Sequence, residues 1–367
     1  MIKNCYIHIP FCKNICTYCD FCKMFYNQNM VFNYLNALEK EIQSTYQGEE
    51  LETIYIGGGT PNCLNVEELE RLFQILSILH KSSNMEFTVE GNIDYFTEEK
   101  LLLFKKNGVN RLSIGIESSN PETLKKLGRN LDISLTKEGI KKAREIGFSN
   151  INVDLIYAID GECNHQLDED ISFLLSLSVE HISTYSLMIE DHTILKMQGE
   201  KNIDEDLDYS MYQTICKKLK ENGYLHYEIS NFSKKGYYSK HNLCYWNNQE
   251  YYGFGLGASS YLHDKRITNT RSYSKYIKGE FVKEIENVGI SEKIEYQILL
   301  NLRKKEGISL EEFKRLYKKE LISFYNYSSL LKEGLLVLEN NYLFIPEDKW
   351  YISNEIIVRL LGCEVYG

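Results

Sequence analysis

Cys12, Cys16 and Cys19 follow one another in the spacing C-x3-C-x2-C, directly after the β-rich run Tyr6-Ile7-His8-Ile9-Pro10. Three thiolates on so short a loop match three irons of a [4Fe-4S] cluster, whereas a cluster that only carries electrons takes four cysteines. The fourth iron is then open, and an open position beside fixed ligands marks a metal that binds substrate or cofactor. The ligand this arrangement implies is S-adenosyl-L-methionine, held through its amino and carboxylate groups and cleaved to a radical. Cys22 stands close enough in sequence for a competing reading, a closed zinc site of four thiolates. Closed zinc sites usually bring ligand pairs from separate segments. The expected metal ligands are therefore Cys12, Cys16 and Cys19, with Cys22 a small, semi-buried thiol.

Such a loop needs a scaffold. Up to about residue 195, short β-branched runs at 5–9, 53–56, 86–89, 111–116, 151–156 and 182–187 alternate with amphipathic stretches. Asn65 with Glu68 three residues on reads as a capping box, and Asn120-Pro121 as an N-cap with proline at the first helical position. Six βα units in a row predict an α/β fold, a parallel sheet closed partway into an open (β/α)6 barrel. The unusual residues fall at the carboxyl ends of the strands. The cysteine loop follows the first, Gly57-Gly58-Gly59-Thr60-Pro61 the second, and Glu90 and Glu117 end the third and fourth. Asp154 stands near the end of the fifth, and Tyr185 and Glu190 at or after the sixth. That rim is where (β/α) barrels place their chemistry.

Beyond residue 195 the alternation stops. A helix expected over 207–222 leads into an aromatic, glycine-rich segment that carries His241-Asn242-Leu243-Cys244-Tyr245-Trp246. From about residue 290 the pattern is three helices (292–304, 310–319 with Ser309 and Glu312 as a capping box, and 322–333), a hairpin through Asn340-Asn341 and a last helix. The expected units are thus a core at 1–195, an α+β extension at 196–289 and a winged-helix-like unit at 290–367. A winged helix usually suggests DNA, but this one has 11 Lys and Arg against 12 Asp and Glu, so it lacks a basic footprint. A lid or partner module is expected instead. The whole chain of 367 residues carries a formal charge of −10, which disfavours non-specific nucleic-acid binding. Ten cysteines, a strand that starts at once, and no apolar run near the roughly 18 residues of a membrane span lead to the expectation of a soluble, cytoplasmic protein.

These residues together resemble the radical S-adenosylmethionine superfamily and, within it, the coproporphyrinogen-dehydrogenase-like family. The resemblance runs through Tyr6 to Cys12, Cys16 to Phe21, Gly57 to Pro61, Gly108 to Gly115, Leu127-Gly128-Arg129, Asp154, Tyr227 to Phe232 and His241 to Trp246, about two-thirds of the chain. It implies that Cys12, Cys16 and Cys19 bind the cluster, and that Tyr6, Gly59, Thr60, Glu90, Arg129 and Asp154 line the S-adenosyl-L-methionine site, with Glu117 beside them. The family's oxidases place a further cysteine two residues after the third ligand and carry a long N-terminal arm. Here that position is Phe21, and five residues precede Tyr6. Those features, with the His-Asn-x-x-Tyr-Trp motif, are similar to the heme-chaperone branch. The implied function is heme binding and transfer to a heme-accepting protein, with transient membrane-protein contact as an option. Oxidative decarboxylation of coproporphyrinogen III and a related radical methylation are the alternatives.

Two departures bear on the site. Glu117 stands where the family has glutamine, which exchanges a neutral amide for an acceptor-only anion; near a cofactor carboxylate it requires compensation by Arg129 or by a proton. The family's Gly-Leu-Pro-Gly-Gln after the fifth strand is here Ala158-Ile159-Asp160-Gly161-Glu162. His241 has two readings, an axial heme ligand or a hydrogen-bonded core residue. The absence of Cys-x-x-Cys-His argues against covalent c-type attachment of heme.

Overall fold

The structure, a computed structural model, describes residues 2–363, so residues 364–367 of the expected C-terminal unit lie outside it. The six expected strands are present: β1 Asn4–Ile9, β2 Leu51–Gly58, β3 Lys81–Gly91, β4 Arg111–Glu117, β5 Ile151–Tyr157 and β6 His181–Ser186. They pair in sequence order, all parallel. Every residue of β4 is buried, as expected of a parallel strand covered on both faces. Crossover helices such as Gln28–Thr45, Val66–Leu76 and Ile133–Glu145 bury Leu35, Leu72 and Ile140 against the sheet's core, Ile7, Ile54, Phe87 and Val153. The cap of Val66–Leu76 is reciprocal: Asn65 Oδ1 accepts from Glu68 N at 2.9 Å, and Glu68 Oε2 accepts from Asn65 N at 2.8 Å. Asn120 caps the Pro121–Lys126 helix by accepting from the amides of Glu122 and Thr123.

The barrel is open, and the segment after it covers both edges. Asn231–Ser233 pairs antiparallel with β6 and carries Leu225–Glu228 on its outer side, while Tyr252–Phe254 pairs parallel with β1. Between them the helix Lys240–Trp246 lies beneath the amino ends of β2 and β3. The Glu86 carboxylate of β3 accepts the amides of Lys240 and His241 at 3.1 and 3.0 Å. The His-Asn-x-x-Tyr-Trp motif is thus the floor of the barrel. A three-stranded antiparallel sheet, Ser259–Leu262, Lys265–Asn269 and Val282–Asn287, completes this segment.

A second core gathers Ile294, Phe313, Leu330, Leu343, Trp350 and Ile357 under a small sheet of Ile308–Ser309, Tyr342–Phe344 and Val337–Glu339. The hairpin turns at Asn340 and Asn341, both at positive φ, which asparagine tolerates and a tight hairpin needs. Ser309 accepts from Glu312 N at the start of the Leu310–Tyr317 helix. The single helix expected over 322–333 is instead a 3-10 turn, Leu321–Ser323, and a short helix, Ser328–Lys332. Asn326 breaks it: its amide donates to Cys363 O and its side chain accepts from Ser328 N. Main-chain bonds from Ile229 N to Arg303 O and from Lys305 N to Tyr227 O, both 3.0 Å, tie this core to the barrel extension.

Candidate functional site

The site is built at the carboxyl rim of the sheet. The cysteine loop leaves β1 through Phe11–Cys12 and returns through Met24–Phe25, two short strands that pair in parallel and close the loop at its base. Tyr26 N donates to Cys12 O at 2.8 Å, and Met24 N to Pro10 O at 2.8 Å. Two further segments grip the loop. Gly59 N and Thr60 N donate to Ile9 O and Phe11 O, and the Thr60 hydroxyl points at Cys12 Sγ, 3.5 Å away. On the other side Thr17 N donates to Leu127 O and Thr17 Oγ1 to Lys126 O, while Leu195 N donates to Thr17 O.

The glycines here are required by closeness. A Cβ on Gly59 would lie 2.9 Å from Cys12 Sγ and 2.8 Å from Phe11 O, and one on Gly57 2.5 Å from Glu90 Oε2. A side chain at either position would drive the loop or the carboxylate out of place.

Cys12, Cys16 and Cys19 open together onto a cavity of about 520 Å³, within the size range of small-molecule sites. Tyr6, Gly59, Thr60, Glu90, Glu117, Arg129 and Asp154 line the same cavity, and so do Tyr185 and Glu190. All three cysteines are free thiols. Among the described residues no three His, Cys, Asp or Glu side chains converge as one metal ion would require. Cys22 turns away: its thiol bonds with Arg271 and packs under Gly257. Cys22 thus stands apart from the three thiols that face the first cavity. Three thiols apart on one cavity wall, beside a glycine cradle, fit the separate corners of a cluster.

Burial raises the pKa of all three rim carboxyls. Burial pushes the Glu90 carboxyl up to about 8, with the Asp154 charge adding to the shift and the Gly58 amide opposing it. Asp154 is raised by burial, opposed by hydrogen bonds from Asn152 and Ser183. Burial lifts Glu117 to about 7 against the pull of Arg129. The compensation that the Gln-to-Glu departure calls for is visible: Arg129 Nη1 donates to Glu117 Oε1 at 3.1 Å and lies 3.9 Å from Cys16 Sγ, while Nη2 donates to Gly115 O at 2.7 Å. Glu117 also takes a left-handed backbone, φ 68°. The second departure closes on itself, since Glu162 Oε2 accepts from Ile159 N at 3.0 Å within its own turn.

His241 is the exception among the expected site residues. Its side chain is 1% exposed, its Nδ1 meets Thr53 Oγ1 at 2.8 Å and its Nε2 meets Tyr245 OH at 2.8 Å. It stacks on Tyr55 with ring centroids 5.2 Å apart, and burial, then Arg111, lowers its pKa to about 3. Both nitrogens are used beneath the floor, so the packing offers no axial position to heme there; only its neighbour Asn242 reaches the cavity.

Sequence reasoning passed over Asn152 and Tyr18. Asn152 Nδ2 donates to Asp154 Oδ1 at 2.7 Å and to Ser113 Oγ at 2.8 Å, and its oxygen accepts from His181 Nδ1 at 2.6 Å. Two residues before Asp154 on one strand, it shares that residue's face, which was the available signal. Tyr18, between Cys16 and Cys19, bonds with both Glu117 and Arg129; nothing in its spacing marks it.

Residues 6–174 match the model of the radical SAM superfamily. The chain is 39% identical to the heme chaperone HemW of Bacillus subtilis over all of this chain and 98% of that one. It is 39% identical to HemW of Lactococcus lactis over 85% and 84% of the two chains, and 31% identical to that of Escherichia coli over 78% and 79%. The solved coproporphyrinogen III oxidase of Escherichia coli superposes with a TM-score of 0.85 over 97% of this chain and 89% of that one, at 20% identity, a likeness of fold. With a cysteine loop above this cavity and a relative of that name matched end to end, the chain belongs to the radical SAM superfamily and, within it, to the HemW family.

Proposed function

We propose that this protein binds heme and passes it to an acceptor protein in the cytoplasm. On this reading Cys12, Cys16 and Cys19 hold a [4Fe-4S] cluster, and Tyr6, Gly59, Thr60, Glu90, Glu117, Arg129 and Asp154 surround S-adenosyl-L-methionine. The end-to-end similarity to the Bacillus subtilis heme chaperone carries the reading. When bound, a cluster with one open iron supplies the electron that cleaves S-adenosyl-L-methionine.

The chain's own residues do the rest. The glycine edge at 57–59 lets backbone approach the cofactor closely, and Glu90 and Asp154 accept from ammonium or hydroxyl groups. Arg129 neutralises Glu117 and faces Cys16. No helix among the described residues is long and apolar enough to cross a membrane. The organisation we propose is a barrel core at 1–195, an extension at 196–289 and a lid or partner unit at 290–367, the last with balanced charge and no role in nucleic-acid binding.

The test offers reconstituted protein ferric heme and coproporphyrinogen III separately, the latter with S-adenosyl-L-methionine and reductant in the absence of oxygen. Stoichiometric heme binding, transfer to an apo-acceptor and no protoporphyrinogen IX are expected. Catalytic turnover to protoporphyrinogen IX would replace this reading with the oxidase one. S-adenosyl-L-methionine is expected to perturb the cluster's spectrum, less so in Glu90→Ala and Asp154→Ala.

A further inference from the structure

The chain has eight histidines, and with His241 set beneath the floor the others can be sorted. His8, His181 and His226 are buried with both ring nitrogens engaged: His8 by Tyr6 and Cys22, His181 by Asn152 and Tyr227, His226 by Cys216 and Ile229. His80, His165 and His263 are held by Gly48 O, Glu169 and Glu250. His192 differs from all of these. It is exposed, and no hydrogen bond, ion pair or ring contact engages it among the described residues.

His192 stands at the mouth of the barrel. It lines a second cavity of about 570 Å³ that shares Ile15, Asp20, Phe21, Lys23 and Glu190 with the first. Its loop is pinned at both ends, by Leu187 N to Tyr157 O at 2.8 Å and Leu195 N to Thr17 O at 3.0 Å. His192 itself has φ 70°, a left-handed conformation uncommon outside glycine, in which histidine is among the enriched types.

Two large apolar side chains are left in water nearby, Phe21 at 64% and Met188 at 66% exposure. Two cations border the same space, with Asp20, Glu190 and Asp191 on its walls, and among the described residues neither is ion-paired to a carboxylate: Lys23 donates to Cys19 O, and Arg271 to Asp20 O at 2.7 Å. The acidic neighbour Asp191 is within 3.8 Å of Lys196.

An imidazole, exposed apolar surface and cations that bond to carbonyls and a thiol rather than to a carboxylate suit a flat, apolar macrocycle with two carboxylates. We propose that heme docks where the two cavities meet, with His192 as its axial ligand, Lys23 and Arg271 facing its propionates, and Phe21 and Met188 against the ring. The proposal rests on the heme-binding reading above and adds the ligand and the orientation.

The experiment titrates ferric heme, and separately its dimethyl ester, into the cluster-loaded full chain, followed by the Soret band. His192→Ala is expected to weaken heme binding by about tenfold and to lose the imidazole-ligated spectrum, which added imidazole restores. His192→Cys is expected to shift the spectrum to that of a thiolate ligand. Arg271→Ala is expected to weaken heme binding by about fivefold and leave the ester's binding unchanged. Iron content and the spectral response to S-adenosyl-L-methionine check that the His192 variants are folded. A wild-type chain that binds no heme would refute the functional reading itself. Wild-type binding with unchanged affinity and spectrum in His192→Ala and His192→Cys would overturn this site and leave that reading standing.

Discussion

Cys22 lies three residues beyond Cys19 yet bonds with Arg271 and packs under Gly257, away from the other thiols. Substituting Cys12, Cys16 or Cys19 by Ala should therefore abolish the cluster, while Cys22→Ala keeps about four irons and four sulfides per chain; loss of iron in Cys22→Ala would contradict the three-thiol assignment. Arg129 and Glu117 form a buried pair at 3.1 Å. Arg129→Met removes the charge and the donor facing Glu117, whose buried carboxyl must then take up a proton, and should cost about 3 kcal/mol in urea unfolding. Adding Glu117→Gln to that variant should recover about 1 kcal/mol or more, and strict additivity of the two changes would show that the pair is not coupled. The cysteine spacing and the rim acids were readable because each carries its chemistry in its own identity and position. Arg129's choice of Glu117 was readable only as a requirement, because the partner is set by how two loops fold over one another. His241 kept two readings for a physical reason: a histidine beside aromatic residues has the same local pattern whether it faces a ligand or a hydroxyl.

The strands and helix caps of the barrel follow from local periodicity, and Asn65 and Asn120 do what their sequence positions dictate. What local pattern does not encode is the pairing of 225–233 with β6 and of 252–254 with β1, because three-residue strands have too few positions for a period. Glu41, on the Gln28–Thr45 helix, is the fastener for the second pairing. It accepts from Gly255 N at 2.8 Å, Asn269 Nδ2 at 2.5 Å and Tyr276 OH at 2.6 Å. Burial pushes its carboxyl from 4.5 up to about 7, with these donors opposing. The folded chain thus holds this proton more tightly than the unfolded one, so its stabilising share is full below 4.5 and fades as pH rises through about 7. Glu41→Gln should flatten that part of the stability-versus-pH curve measured by urea midpoints; an unchanged slope would place the titration elsewhere. Glu41→Ala leaves three buried donors without an acceptor and should cost about 3 kcal/mol.

At the scale of the whole molecule the two cores share a seam. His226 stacks on Phe232 at 4.0 Å and meets the edge of Trp350 at 4.5 Å, while Trp350 Nε1 donates to Ile345 O at 2.9 Å. Trp350→Ala should cost about 3–5 kcal/mol and lower a single cooperative melt; a separate early transition in calorimetry would show that the seam does not couple the cores. The winged-helix-like pattern was legible from its caps and its Asn340-Asn341 turn, whereas the seam joins residues more than a hundred positions apart and has no local signature. The pairing of β1 with Tyr252–Phe254 has a consequence in time. The cysteine loop leaves the ribosome well over two hundred residues before the floor and the far edge of its barrel, at 240–246 and 252–254. At roughly 5–20 residues per second the interval is on the order of ten to fifty seconds. Throughout it, β1 has one bare edge and the three thiols stand on an unfinished wall. The nascent chain must therefore keep those thiols reduced until its barrel closes.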